Sequence, residues 1–234
     1  MLEHKKIQNL SDYFVELNSR REKGVYFYRI NGYSEEVGEF IKKYYDTARR
    51  TGVVIEGKIP NPDEGNLAYY NEIMGMDFQM SMDFIHVSLR KWLPRMNEFQ
   101  RQNVAASIYD SLDSLRKAGK TENMLRNAYI KFMCWLYYKF ERIVNQLGEN
   151  HIPKILYEGQ ISNYELMLIS ILSNAGCDVV LLQYAGDQGY LKTDPGSVLS
   201  DSLQMEGLRP FPQGYCVKKV RDEIQNELNN ERLY

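Results

Sequence analysis

The chain has 234 residues, 44% of them apolar, enough for a substantial core in one large domain or two small ones. Its 29 basic and 31 acidic residues give a net charge of −2, so no basic field favours nucleic acid and no long acidic block suggests a tail. Cys134, Cys177 and Cys216 lie far apart with no Cys-x-x-Cys pair, which argues against a disulfide scaffold or zinc ribbon and fits a reducing cytoplasm. The charged N-terminus, MLEHKKIQNLSDYF, lacks a signal-peptide core. The longest unbroken apolar run, Phe132–Tyr138, has seven residues between Lys131 and Lys139. A membrane span needs about 20, so no membrane partner is expected.

In chain order, Gly24–Ile30 (GVYFYRI) is aromatic and β-branched, as strands prefer. Asn31-Gly32 makes a turn, and Ser34 caps a helix whose first turn holds Glu35 and Glu36. Val37, Phe40, Ile41, Tyr44, Tyr45 and Ala48 give that helix one apolar face. Gly52 ends it, and Val53-Val54-Ile55 begins a second strand. Gly57–Gly65 is a loop rich in turn residues. Helices are predicted over Asn66–Met76, Met82–Trp92 (broken by Pro94) and Asn97–Ala118, the last closed by Gly119. Thr121 caps the longest helix, to about Leu147, with Leu125, Ala128, Phe132, Leu136, Phe140, Ile143 and Leu147 in helical period. The three histidines, His4, His86 and His151, show no ligand spacing.

The next stretch, Pro153–Gln183, reads as strand, helix, strand. Ile155-Leu156-Tyr157 follows a proline tolerated at a strand start. Asn163 is placed as the helix cap, and the helix is apolar nearly all round until Asn174-Ala175-Gly176 stops it. Val179–Leu182 is an unbroken apolar run, as in parallel strands buried on both faces. The same strand–helix–strand order thus occurs twice, about 128 residues apart (29–30 against 157–158), as a weak repeat or, more simply, as two ordinary αβ units. A polar loop and an irregular PFPQGY segment follow. A charged helix, Val217–Arg232, carries a narrow stripe of Val217, Val220, Ile224 and Leu228, suited to docking a protein partner or packing on its own fold. The fold class is therefore α/β: a three-layer, mainly parallel, Rossmann-like sheet with a large all-helical insert. The boundaries are 1–60 for the first αβ segment, 61–150 for the insert, 151–215 for the second βαβ segment and 216–234 for the C-terminal helix.

In open parallel sheets ligands bind beyond the carboxyl ends of the strands. Arg29 stands one residue before the end of the first strand and Asn31 opens the turn after it; Glu158, Gly159, Ser162 and Asn163 follow the third; Asp187 lies in the polar loop. Arg29 can clamp a phosphate or pair with a local acid. Glu158 can act as a general base, bind a ribose hydroxyl, or be a solvated turn carboxylate. Ser162 and Asn163 can present a helix N-terminus to an anion, and helix capping explains them without a ligand. Asp187 and Asp194 are seven apart, a spacing common in loops, and no metal site is assigned to them. No G-x-G-x-x-G or P-loop pattern is present, and no cofactor is assigned. The expected ligands are a small phosphorylated metabolite or a nucleotide sugar.

The phrases ILYEGQISNYELMLISILSNAGCDVVLLQ and FYRINGY resemble the YceG-like family, a component of a bacterial biosynthetic module found with tellurite-resistance and general stress operons. The resemblance is firmest over 153–195. It implies a cytoplasmic, stress-linked protein that makes or handles a small metabolite, and it supplies no catalytic residues. Family members are longer, so the resemblance places this chain at their N-terminal part. Two functions follow as expectations: a ligand-binding or catalytic domain, glycosyltransferase-like, with Arg29, Asn31, Glu158, Ser162 and Asp187 in one pocket; or a non-catalytic scaffold that recruits stress-system partners through the helical insert and the terminal helix, with no polar convergence at the strand ends and an exposed Val217–Leu228 stripe.

Overall fold

The computed structural model describes residues 2–60 and 68–231. Five parallel strands, β1 (Phe27–Ile30), β2 (Val53–Glu56), β3 (Lys154–Glu158), β4 (Asp178–Leu182) and β5 (Asp201–Ser202), form one sheet in the order β2-β3-β4-β1-β5. The two predicted αβ units interleave, because β3 and β4 lie between β2 and β1. The predicted polar loop after Gln183 also holds structure, a short helix α8 (Gln188–Leu191) and the edge strand β5. Only two residues, both polar, form β5, so no hydrophobic run marks it.

Side chains alternate across the sheet. Val37, Phe40, Ile41 and Tyr44 of α1 (Glu35–Thr51) cover one face, against Tyr28, Ile30, Leu156, Val180 and Leu182. The other face, carrying Phe27, Ile155, Tyr157, Val179 and Leu181, packs on α7 (Asn163–Ala175) and the helical insert. That insert comprises α2 (Ala68–Met74), α3 (Met82–Trp92), α4 (Glu98–Lys117), α5 (Glu122–Trp135) and α6 (Glu141–Val144). The loop expected at Gly57–Gly65 and the helix expected from Asn66 both run into residues 61–67, outside the described residues. Among the described residues no helix is long and apolar enough to cross a membrane.

Local signals explain most element ends. Ser34, Ser81, Asn97 and Thr121 cap α1, α3, α4 and α5 with side-chain oxygens. The cap of α7 is Ser162 rather than the expected Asn163: Ser162 Oγ accepts from the Glu165 N–H, and the Glu165 carboxylate accepts from the Ser162 N–H, a reciprocal capping box. Gly176 ends α7 at φ +135°, a backbone that disfavours a side chain. The expected unbroken helix from Thr121 changes character at Leu136–Phe140, a single π-helical turn between α5 and α6. The C-terminal helix α9 (Val217–Glu231) packs on α1, with Val217 and Val220 buried and Ile224 half-buried against the same core.

At the amino ends of the strands, Asp178 is fully buried. Its carboxylate accepts from Nη1 and Nη2 of Arg20 (2.9 and 2.5 Å), from Lys154 Nζ (2.5 Å) and from the Tyr26 N–H (2.9 Å). Burial pushes the Lys154 ammonium down from its ordinary value, and the adjacent carboxylate opposes that shift. Asp178→Asn leaves two buried cations short of their counter-charge and is expected to cost about 3–5 kcal/mol, measured by urea unfolding. A loss below about 1 kcal/mol would mean that the cluster is not needed for stability.

At Gly52 a Cβ would lie 1.7 Å from the Lys154 carbonyl oxygen, in backbone that cannot yield alone. Gly52→Ala is therefore expected to cost at least about 3 kcal/mol in the same measurement, because the α1–β2 turn must move off β3.

Candidate functional site

Because all five strands run the same way, their carboxyl ends share one edge. From β1 the chain leaves toward the α1 face, whereas from β4 it leaves to α8, whose Tyr190 packs in the core beneath α7. The connections diverge between these neighbouring strands, and such a divergence opens a crevice in parallel sheets. A cavity of about 690 Å³ lies there, lined by Asn31 and Gly32 after β1, Tyr184–Gly186 after β4, and Leu203–Met205 and Leu208–Pro210 after β5.

Of the predicted site residues, Asn31 lines this crevice; its Nδ2 donates to Ser202 Oγ at 3.2 Å, as does Gln204 Nε2. Arg29 lies beneath, 4% exposed. Its Nε donates to Asp187 Oδ2 (2.9 Å), its Nη1 to the Ser200 carbonyl (2.6 Å) and Ser200 Oγ (3.2 Å), and its guanidinium lies over the Tyr190 ring at 4.6 Å. The structure thus brings Arg29 and Asp187 together as an ion pair that fixes the chain after β4. Asp194 belongs to a neighbouring network, accepting from Tyr190 Oη (2.8 Å) and from the Val198 and Leu199 N–H groups. Among the described residues no group of three or more His, Cys, Asp and Glu is placed to hold a metal ion.

The residues after β3 do not join this crevice. Ser162 is engaged with Glu165, whose second oxygen accepts from the Ile59 N–H at 2.6 Å, while Asn163 is exposed in the first turn of α7. Gly159 adopts φ +100° and its carbonyl accepts from Gln183 Nε2 at 2.9 Å. Glu158 is half-buried and its two oxygens accept from the Val217 N–H at 3.3 and 3.2 Å, so it caps α9 from across the fold.

Sequence reasoning missed Arg209, and it placed Tyr184 in a candidate loop without giving the ring a role. The Tyr184 ring packs against Phe211 (4.9 Å between centroids) and Tyr215 (5.8 Å), and Tyr33 meets the same two rings. This cluster and a mutual pair of backbone hydrogen bonds between Tyr33 and Arg209 (2.7 and 3.0 Å) clamp the segment after β5 over the crevice. The exposed Arg209 guanidinium has no ion pair or hydrogen bond among the described residues. No spacing signal could have found it, because only the position of β5 beside β1 brings residue 209 to residue 31.

A family model for the YceG domain matches residues 5–226. The chain belongs to the YceG domain family. That match takes in both interleaved αβ units, the helical insert and most of α9, so the crevice lies wholly inside the YceG domain. No curated protein and no solved structure matches the chain. The cysteines of this YceG domain are free: burial pushes the Cys134 thiol up to about 11 and the Cys177 thiol higher still, which leaves both as packed thiols at neutral pH.

Burial pushes the Glu158 carboxyl up from its ordinary value of 4.5; the Val217 N–H and the Tyr184 hydroxyl oppose this, and Glu56 on the neighbouring strand adds to it. A helix N-terminus favours a carboxylate, yet here burial and the second carboxylate prevail. A raised folded-state pKa means that the stabilising contribution is full below 4.5 and is lost as pH rises through the raised value. Glu158→Gln keeps an acceptor for Val217 and removes the charge. Urea midpoints across a pH series are expected to show the variant gaining on the native chain as pH rises through this window, with the gap closing in acid. A native chain more stable than the variant at neutral pH would show instead that the charge holds α9.

Proposed function

We propose that this YceG domain binds a small phosphorylated metabolite or a nucleotide sugar in the crevice between the carboxyl ends of β1, β4 and β5, in the manner of Rossmann-like sheets. The unpaired guanidinium of Arg209 beside the Asn31 and Gln204 amides carries the reading, because this combination offers a charge to an anion and neutral hydrogen-bonding groups to hydroxyls. Tyr184 and the glycines Gly32 and Gly186 complete a wall that backbone and ring can share with a ligand. A glycosyltransferase-like role, with this domain supplying one half of a cleft in a cytoplasmic, stress-linked biosynthetic protein of the tellurite-resistance type, fits the same crevice. The alternative of a scaffold that recruits a partner through the α9 stripe has less support, since Val217 and Val220 are buried against α1 and only Leu228 of the four is well exposed.

A thermal-shift screen with nucleotides, nucleotide sugars and sugar phosphates, with and without Mg²⁺, tests the reading. Ligand at about 100 times its Kd is expected to add roughly 2.7 kcal/mol of stability. Arg209→Ala is expected to weaken that ligand by about 1.5–3 kcal/mol, at least tenfold in Kd, while leaving the unliganded stability within about 0.5 kcal/mol. A hit that binds Arg209→Ala undiminished would place the ligand elsewhere, and a screen without hits would turn the argument against the crevice.

A further inference from the structure

A second cavity, about 470 Å³, lies on the other side of the Leu203–Met205 wall, between the N-terminal segment, β1, the first turn of α1 and β5. Its polar lining differs in kind from that of the crevice. Asp201 and Glu36 both face it, and neither carboxylate has an ion pair or hydrogen bond among the described residues. Lys6 is the opposing charge and is likewise unpaired. Two carboxylates against one ammonium favour a ligand that carries a cation.

An independent feature asks for an acceptor on the same ligand. Tyr28 lines the cavity and is 7% exposed; its hydroxyl accepts from the Ile7 N–H at 3.2 Å, but its own O–H has no acceptor among the described residues. At the cavity wall this O–H is open to donate to a ligand oxygen. Leu203 and Met205 give the rest of the wall an apolar surface.

We propose that this cavity binds a small zwitterion of the amino-acid type. Its ammonium sits against Asp201 and Glu36, its carboxylate takes the Tyr28 O–H and the Lys6 ammonium, and its apolar side chain lies on Leu203 and Met205. The cavity is separate from the crevice, so its ligand does not depend on the reading given to Arg209. The shared wall would let a ligand in either cavity be felt in the other.

The test is a thermal-shift screen of the full chain against each standard L-amino acid, followed by calorimetric titration of the best one. Its amide and its desamino acid are titrated beside it, each lacking one of the two charges. The expected result is a saturable hit with an apolar side chain, weakened at least tenfold in both analogues and in Asp201→Asn and Tyr28→Phe. Arg209→Ala is expected to bind it as the native chain does. Melting of the unliganded variants within a few degrees of the native chain shows that they fold. No hit among the amino acids, or a hit that Asp201→Asn and Tyr28→Phe both bind unchanged, would overturn the proposal. A hit lost only in Arg209→Ala would assign the amino acid to the crevice and overturn it as well.

Discussion

The Asp178 carboxylate sets the register on which the sheet depends. The strand after it, Val179–Leu182, is apolar on both faces and packs equally into either core. Hydrophobic pattern alone therefore gives β4 little reason to stop at one position rather than slide along its neighbours. Asp178 removes that freedom. It holds Lys154 at the start of β3, the Tyr26 N–H at the start of β1 and Arg20 from the N-terminal segment. Satisfied together these groups tolerate burial, but out of register each becomes an uncompensated charge or an unmade hydrogen bond. Tyr44 reinforces the same level, donating to the Asp178 and Ile155 carbonyls at 3.0 and 3.3 Å.

With register fixed at the amino ends, the carboxyl ends are level and their loops can converge. The interleaved order then decides what converges with what. Placing β4 against β1 sets the Tyr184–Gly186 turn beside Asn31, and placing β5 outside β1 brings the 203–210 segment over both. Charged groups at the strand ends are largely engaged in holding this arrangement. Arg29 fixes the chain after β4, and Glu158 fixes the start of α9, helped by Arg221 near Glu56 at 3.8 Å. In the crevice the guanidinium left without a partner, that of Arg209, comes from a segment that reaches the site late in the chain.

That division explains what could be read from residue order. The strands around Ile155 and Val179, the helix from Ser34 to Gly52 and the limits of α3 depend on local pattern and local caps, and were legible. The cap of α7 was legible in principle, since Glu165 stands three residues after Ser162, but Asn163 is an equally good capping residue taken alone. The strand β5 was not legible, because two polar residues pair with β1 for reasons that lie wholly in β1. The same holds for chemistry. Arg29 was recognised as a residue needing a partner, yet the partner stands 158 residues away. Arg209 attracts no notice in an irregular segment until the sheet order is known.

The π turn at Leu136–Phe140 has a geometric consequence of its own. A turn closed by i→i+5 hydrogen bonds holds about one residue more than an α turn, so the helix beyond it is rotated by about 100° relative to a regular one. Before the turn, Leu125, Ala128 and Phe132 face the insert; after it, Arg142 reaches out of the insert to the Arg50 and Gly52 carbonyls where α1 meets β2. The extra residue works as a phase shifter between two bodies with different packing demands, meshing a helical layer that follows its own period with a sheet whose register is set elsewhere.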